Sequence, residues 1–481
     1  MGYHERRMKI AFLASEAAPY AKTGGLADVV SALPRALAAA GHEVVVILPL
    51  YRAVCEKFPG LALRMENRPG LFSVWEDRTG SVPVYFIENK AFFDRDHFYG
   101  TTAGDDRDNG ERFAFFSRAG LEALRRLDFK PDIVHAHDWQ AAMALAYLKF
   151  VYHRDPFFLG TKSVFTIHNL AFQGQFDPSI LGRIGLPARL FCPGDLEFYG
   201  RVNFLKAGIL YADGVTTVSP RYAREIQTPE FGCGLEGLLH LRSARLRGII
   251  NGIDASAWDP MNDPALAARF GRDDLTGKKK CKKDLLRSFG FPLTPPDLPV
   301  IGMVSRLAWQ KGVDIFLRAL EALSKSRIRI VIVGSGEEGL EHQLIMALNR
   351  FPRMLGLKIG YDDPLARKVF AGSDFFLIPS RYEPCGLTQM YSQRYAAIPI
   401  VRAVGGLDDT VDEYRPGADE GTGFKFAEAE PDALVSAVRR ALAVCKNPKV
   451  KAELRRNGLS RDFSWKRPAE DYLALYRELL G

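Results

Sequence analysis

Short apolar runs alternate with helix-periodic segments through the first half of the chain. Residues 10–14, 44–48, 82–87, 132–135, 162–167 and 214–218 read as strands. Between them, residues 26–40, 112–127, 139–150 and 203–212 carry apolar side chains at helical spacing. Strands that are apolar throughout, instead of alternating, belong to a parallel sheet covered on both faces. The same rhythm returns after residue 300. Strands are predicted over 300–304, 328–333, 355–359, 374–378 and 400–401, with helices over 313–323, 337–349, 364–371 and 387–397. Residues 465–480 form a last amphipathic helix. The fold class is therefore α/β, with two doubly wound domains in tandem. The first ends near Asn251-Gly252-Ile253-Asp254. Residues 259–299 are rich in Pro, Asp and Lys without a clear period and read as surface elaboration.

Length agrees with two domains, since 481 residues exceed one ordinary core. The net charge of +8 is spread along the chain, which suits an anionic small ligand better than nucleic acid. The one dense basic run, Lys278-Lys279-Lys280-Cys281-Lys282-Lys283, reads as a solvated segment. Six scattered cysteines without a C-x-x-C pair imply neither a zinc ribbon nor a disulfide framework, and fit a reducing compartment. Residues 1–9 are short and polar, unlike a signal peptide, and no apolar stretch reaches the length of a membrane span. The expectation is a cytoplasmic protein, or a plastidial one for a mature plant form.

Ligands of doubly wound sheets bind beyond the carboxyl ends of the strands, and the distinctive residues fall there. Lys22-Thr23-Gly24-Gly25 follows the first strand and opens a helix; glycines there let a ligand approach the backbone, and Lys22 adds a mobile charge. Arg306 and Lys311 follow the strand at 300–304, a pair suited to a diphosphate. Arg381-Tyr382-Glu383-Pro384-Cys385-Gly386-Leu387-Thr388-Gln389 follows the strand at 374–378. Glu383 is a fixed acceptor for sugar hydroxyls, and Cys385 reads as space-filling more than as a nucleophile, having no apparent base. His135-Ala136-His137-Asp138-Trp139 has the opening of a metal-hydrolase site, but no further motif completes one. Asp138 with Trp139 instead suits a sugar ring. His168 and Asn169 follow the strand at 162–167, and Tyr361, after the strand at 355–359, can stack on a base.

Together with Asn251-Gly252-Ile253-Asp254 and Gln310-Lys311-Gly312, these motifs resemble the signature set of bacterial glycogen synthases and plant starch synthases, in order and over most of the chain. The resemblance implies the GT-B arrangement, with two Rossmann-like domains facing a central cleft: residues 1–254 on the acceptor side, residues 255–462 for the nucleotide sugar, and a helix at 463–481 crossing back to the first. It implies transfer of glucose from ADP-glucose to the non-reducing end of an α-1,4-glucan, with retention. By the same resemblance Lys22, Gly24, Gly25, Asn251, Arg306, Lys311, Tyr361, Glu383, Cys385, Gly386, Leu387 and Thr388 serve the donor. Tyr99, Asp138, Trp139, His168 and Asn169 serve the acceptor side. Lys22, His168, Arg306, Lys311 and Glu383 form the catalytic set. Many retaining GT-B transferases carry a second glutamate eight positions after the first; Tyr391 stands there, as in starch and glycogen synthases.

No pair of carboxylates suggests a covalent intermediate, so the expected route is attack from the face the diphosphate leaves, with Arg306 and Lys311 taking up the growing charge. No D-x-D motif stands at a comparable strand end, so no metal and no cofactor is expected. Partners are the donor and the glucan, with no nucleic acid and no membrane. Two other readings are a UDP-glucose donor and a non-catalytic carbohydrate- or nucleotide-binding protein.

Overall fold

The strand Lys9–Leu13 lies at the middle of a largely parallel sheet, and four of its five residues are buried. In the computed structural model, which describes residues 6–66, 72–101, 104–294, 298–418 and 420–481, this sheet has nine strands. Their order is Leu246–Gly248, Gly214–Thr217, Lys162–Ile167, Ile133–His137, Lys9–Leu13, Glu43–Pro49, Val84–Glu88, Ser73–Asp77 and Ala62–Met65. The first seven are parallel. The last two are antiparallel, an edge that the apolar pattern does not reveal. Residues 1–5, part of the segment read as lacking a signal peptide, lie outside the described residues.

The chain divides into two units, Met1–Gly252 with Trp465–Gly481, and Ile253–Ser464. The closing helix Lys466–Leu480 belongs to the first unit. It buries Ala469, Tyr472, Leu473 and Tyr476, one stripe at helical spacing, and leaves Glu470, Asp471, Arg477 and Glu478 outside. The stripe packs on the helix Gly25–Ala39, and the Tyr476 hydroxyl lies 2.7 Å from His135 Nδ1 inside the sheet.

The second unit holds six parallel strands in the order Leu355–Ile359, Arg329–Gly334, Val300–Val304, Phe375–Ile378, Ile398–Arg402 and Phe424–Phe426. Two helices there, Pro431–Val444 and Pro448–Ser460, are passed over in the sequence reading. Each begins on proline, a start signal, because the first helical N–H has no partner to lose.

Residues 259–299 are not plain surface elaboration. They contain the helix Thr276–Ser288, whose Cys281, Leu285 and Leu286 face inward. The basic run lies on it and is only partly solvated. Lys278 is buried and donates to the carbonyls of Ala371 at 2.8 Å and Tyr395 at 2.6 Å. Burial pushes its ammonium well below the ordinary lysine range. Lys282, Lys451 and Arg455 converge on the buried Asp374 carboxylate at 2.7–2.8 Å. Burial alone would raise that carboxyl, but the three cations outweigh it and hold it well below its usual value. Lysines turned inward mask the helical period in the sequence.

Candidate active site

In the first unit the strand order reverses at Lys9–Leu13. Glu43–Pro49 lies on one side of it and Ile133–His137 on the other. A crevice opens at such a reversal, beyond the carboxyl ends of the two diverging strands. Residues 14–24 leave one strand there, and Asp138 leaves the other.

Glu16, only 3% exposed, organises the first of these loops. Its carboxylate accepts from the backbone N–H of Thr23, from the Thr23 hydroxyl at 2.6 Å and from the Tyr99 hydroxyl at 2.6 Å. Tyr99 also lies 2.8 Å from Ser15 Oγ, and burial holds its phenol well above the ordinary tyrosine range. Tyr99 thus braces the loop in this structure. Lys22, beyond the brace, pairs with Asp28 at 2.7 Å in the open. A Cβ added at Gly24 or Gly25 would meet nothing within 4 Å, and Gly24 has an extended backbone any residue can adopt. Neither glycine is required by the chain's own packing.

On the other side of the crevice three imidazoles form a line. His135 and His137 are fully buried and stacked, with centroids 4.2 Å apart. His137 Nδ1 is 2.9 Å from His168 Nε2, and His135 Nε2 is 2.6 Å from Thr166 Oγ1. Burial holds all three below the usual histidine range, with His168 lowered to about 3, so all are neutral near pH 7. Asp138 takes a left-handed backbone with φ 53° and accepts from the His168 N–H at 2.7 Å. Burial pushes its carboxyl up to about 7. Asn169 Oδ1 accepts from the Ala171 N–H at 3.1 Å. Asn251 is buried, and its side-chain oxygen finds no hydrogen-bond partner among the described residues.

Trp139 differs from its expected place. It is 7% exposed, with its ring against Phe113 at 5.1 Å and Phe176 at 5.7 Å. Gly174 packs so close that a Cβ there would come within 2.4 Å of the indole. The ring is core here and not an open sugar platform. Its apolar surface gains more from the neighbouring phenyl rings than from water.

The second unit repeats the logic. Strand order reverses between Val300–Val304 and Phe375–Ile378, and the loops after these two strands carry Arg306, Lys311 and Glu383. Glu383 is 7% exposed. Lys311 Nζ donates to both its oxygens, at 2.9 and 2.7 Å, and Ser380 Oγ donates to one at 2.9 Å. The loops interlock further. Arg381 makes a two-pronged pair with Asp314 at 2.5 and 2.6 Å and lies 4.5 Å from the Trp309 ring centroid. Gly312, at φ 66°, sits where a Cβ would fall 2.0 Å from the Pro379 carbonyl oxygen, so only glycine allows the approach.

Arg306 is exposed, its guanidinium 3.3 Å from Gln310 Oε1. Tyr361 is 80% exposed, its hydroxyl 3.1 Å from Asp363. Cys385 is buried, Gly386 has φ 67°, and Leu387 caps the helix Thr388–Arg394. Gln389 donates to the carbonyls of Cys385 and Gly386 at 3.1 and 2.9 Å. Glu16 and Ser380 are the neighbours that sequence reasoning left out, while His137 and Gln389 stood inside its motifs without an assigned role. The usable signal was position, since Glu16 and Ser380 both follow strand ends. Among the described residues, no group of three or more His, Cys, Asp or Glu side chains is placed to hold a metal ion.

Residues 9–241 match the family described as starch synthase catalytic domain, and residues 298–443 match glycosyl transferases group 1. The glycogen synthase of Koribacter versatilis is 48% identical over 477 residues, covering 98% of each chain. The chain belongs to the glycogen and starch synthase family. The glycogen synthase of Myxococcus xanthus is 48% identical over 486 residues, 98% of this chain and 100% of that one. The catalytic domain of starch synthase IV from Arabidopsis thaliana, solved with ADP and acarbose, has a TM-score of 0.90 at 35% identity, covering 99% of this chain and 100% of that one. Sucrose-phosphate synthase from Thermosynechococcus elongatus, at 17% identity and TM-score 0.61, covers 98% of this chain and 99% of that one and shares the fold alone. The fold is GT-B and the protein is a glycosyltransferase that moves glucose in glucan synthesis, which sets aside the non-catalytic reading. Among the described residues, no helix is long and apolar enough to cross a membrane.

Proposed function

We propose that the protein transfers glucose from ADP-glucose to the non-reducing end of an α-1,4-glucan with retention at the anomeric carbon, without a metal, in the cytoplasm. The reading rests on the Lys311–Glu383 pair beside the exposed Arg306, on the two loops that flank the strand reversal of the second unit. Two cations there oppose the charge that develops on a departing diphosphate. Lys22 is read as a further phosphate ligand, since its exposed pair with Asp28 costs little to exchange. Gly24 and Gly25 leave open backbone for the donor. Tyr361 offers an exposed face to adenine, and the ADP of the Arabidopsis relative supports that base over uracil.

Glu383 is committed to Lys311 and Ser380 and is poorly placed to act as a nucleophile. A retaining route through a covalent intermediate needs a free carboxylate about 5 Å from a second one. Attack from the leaving-group face needs none, and the departing phosphate oxygen accepts the acceptor's proton. Glu383, with the backbone of Cys385 to Thr388, orients the glucose. His168, neutral at working pH, contributes a hydrogen bond and no charge. Asp138, Asn169 and His168 stand on the acceptor side, with Tyr99 and Trp139 behind them as supports.

The test is transfer to glycogen from radiolabelled ADP-glucose and UDP-glucose in excess EDTA. Full activity with ADP-glucose, and label released as maltose by β-amylase, is expected. Preference for UDP-glucose would overturn the donor. Activity abolished by EDTA and restored by magnesium or manganese would overturn the metal-free mechanism.

A further inference from the structure

Tyr199 and Gly200 are the two central residues of a hairpin turn between the strands Glu197–Phe198 and Arg201–Asn203. Both have positive φ, 49° and 79°. A two-residue turn of this kind favours Asn-Gly or Asp-Gly, because an ordinary side chain at the first position is strained. Tyrosine is a poor choice for the backbone there, and its side chain gains little from burial, being 81% exposed. A residue that breaks the local rule without a packing gain points to a role outside the fold.

The ring is held in place. It stands edge-on to Phe198, with centroids 4.7 Å apart and planes at 85°. Gly234 passes so close that a Cβ there would lie 3.2 Å from the Tyr199 ring and 2.9 Å from that of Phe198. The Gly234 segment is itself tied down, since buried Gln173 donates to the Cys233 carbonyl at 3.0 Å and accepts from Asn203 at 2.7 Å. The hairpin is the outer part of a three-stranded sheet ordered Gln175–Phe176, Arg201–Asn203, Glu197–Phe198. Its near strand rests on Trp139 through Phe176. Three strands span about 10 Å, so the exposed ring stands roughly that far from the strand beside Trp139. Phe172, 55% exposed, lies on the segment that joins His168 to this sheet.

We propose that the Tyr199–Gly200 hairpin is a second holding point for an α-glucan chain, separate from the residues that meet the reacting end. The ligand is identified by chemistry. A polymer of glucose presents one apolar C–H face after another, rimmed with hydroxyls. A fixed phenol offers an apolar face with a polar tip. An aromatic ring pre-positioned by its neighbours loses little freedom on contact. The inference rests on family membership and not on the donor, so a UDP-glucose preference would leave it standing.

The decisive variant is Tyr199→Asn, which removes the ring and installs a residue the turn prefers. Its melting temperature should equal or exceed that of the parent. In native gels containing glycogen its affinity for the polymer should fall about fivefold to tenfold. The ratio of KM for glycogen to KM for maltotriose should rise by a similar factor. Tyr199→Phe should keep most of the parent's affinity. Unchanged migration of Tyr199→Asn in glycogen gels would overturn the proposal. So would a Tyr199→Phe variant as weak as Tyr199→Asn, since the ring face would then not be what binds. A change in sedimentation state without a change in glycogen affinity would also overturn it, assigning the hairpin to contact between copies of the chain.

Discussion

Glu383 accepts from Lys311 and Ser380 and stands beside the loop that would meet the sugar. Replacing it with glutamine keeps its shape and removes the charge that holds Lys311. Glu383→Gln should lower turnover about a hundredfold or more, the scale of losing an oriented electrostatic group. ADP affinity, measured by calorimetry, should change only a few-fold; equal losses in both would place the residue with the nucleotide or the fold. Asp138 and the histidines beside it make a second prediction, in pH. The Asp138 carboxyl titrates near 7 when folded and near 3.8 when unfolded, so its contribution to stability falls as pH rises through that window. The histidines do the opposite. His168 titrates near 6.5 unfolded and about 3 folded, so stability is lost as pH falls below 6.5. Asp138→Asn removes the first slope and leaves the second. Urea midpoints at pH 4.5 and 6.5 should therefore differ more in the variant than in the parent, and a smaller difference would contradict the assignment. At this scale the sequence was a partial guide. Lys311 and Glu383 could be singled out because they lie on the loops that follow apolar strands. Glu16 was passed over although it follows a strand end, because the partners that bury its carboxylate, Thr23 and Tyr99, are not marked by any local pattern. Trp139 was misread, because the phenylalanines that enclose it lie far away in sequence.

Loops and their glycines differ in what they answer to. Gly312 answers to Pro379, where an added methyl has no room. Gly312→Ala should destabilise the protein by about 2–3 kcal/mol through strain and overpacking, and activity should fall with it. Gly24 answers to nothing in the chain. Gly24→Ala should cost at most about 1 kcal/mol, as the loss of a helix cap residue does, yet weaken donor binding. Urea denaturation and donor KM, measured for both variants, check the contrast. If Gly24→Ala unfolds as readily as Gly312→Ala, the glycine serves the fold. Most strands were legible as apolar runs, because strands buried on both faces leave no alternation to confuse. The helix Thr276–Ser288 was not, because Lys278 and Lys282 point inward and erase the polar-apolar period. The antiparallel edge and the small sheet around Tyr199 were missed for a different reason. The edge strands, five and four residues long, are only partly buried and interrupt their apolar residues with charged ones, and the strands of the small sheet, two or three residues long, fall below any periodic signal.

Each unit has its own core, and the residues assigned to the donor's diphosphate, base and glucose lie mainly in Ile253–Ser464. Calorimetry should resolve two transitions or a broadened one. Saturating ADP should raise the part belonging to the second unit by about 2.7 kcal/mol at a hundred times Kd. Hydrogen exchange on the same sample should show the strongest protection over residues 305–312 and 380–388. Protection confined to the first unit would displace the nucleotide from the second. The βα rhythm of the sequence restarts at residue 300, within the second of these units.

The helix Lys466–Leu480 sets an order on synthesis. Its fifteen residues are translated after the whole of the second unit, yet they supply Tyr472 and Tyr476 to the core of the unit that emerges before it. The second unit has every strand of its sheet before that helix is translated. The earlier-made half must wait, with the Gly25–Ala39 helix uncovered, until the whole second unit has been translated. A prematurely terminated message therefore yields a chain with an exposed apolar face on its oldest part, open to chaperones and proteases, and without the hydroxyl that meets His135. The returning helix thus ties completion of the first unit's core to translation of the second unit.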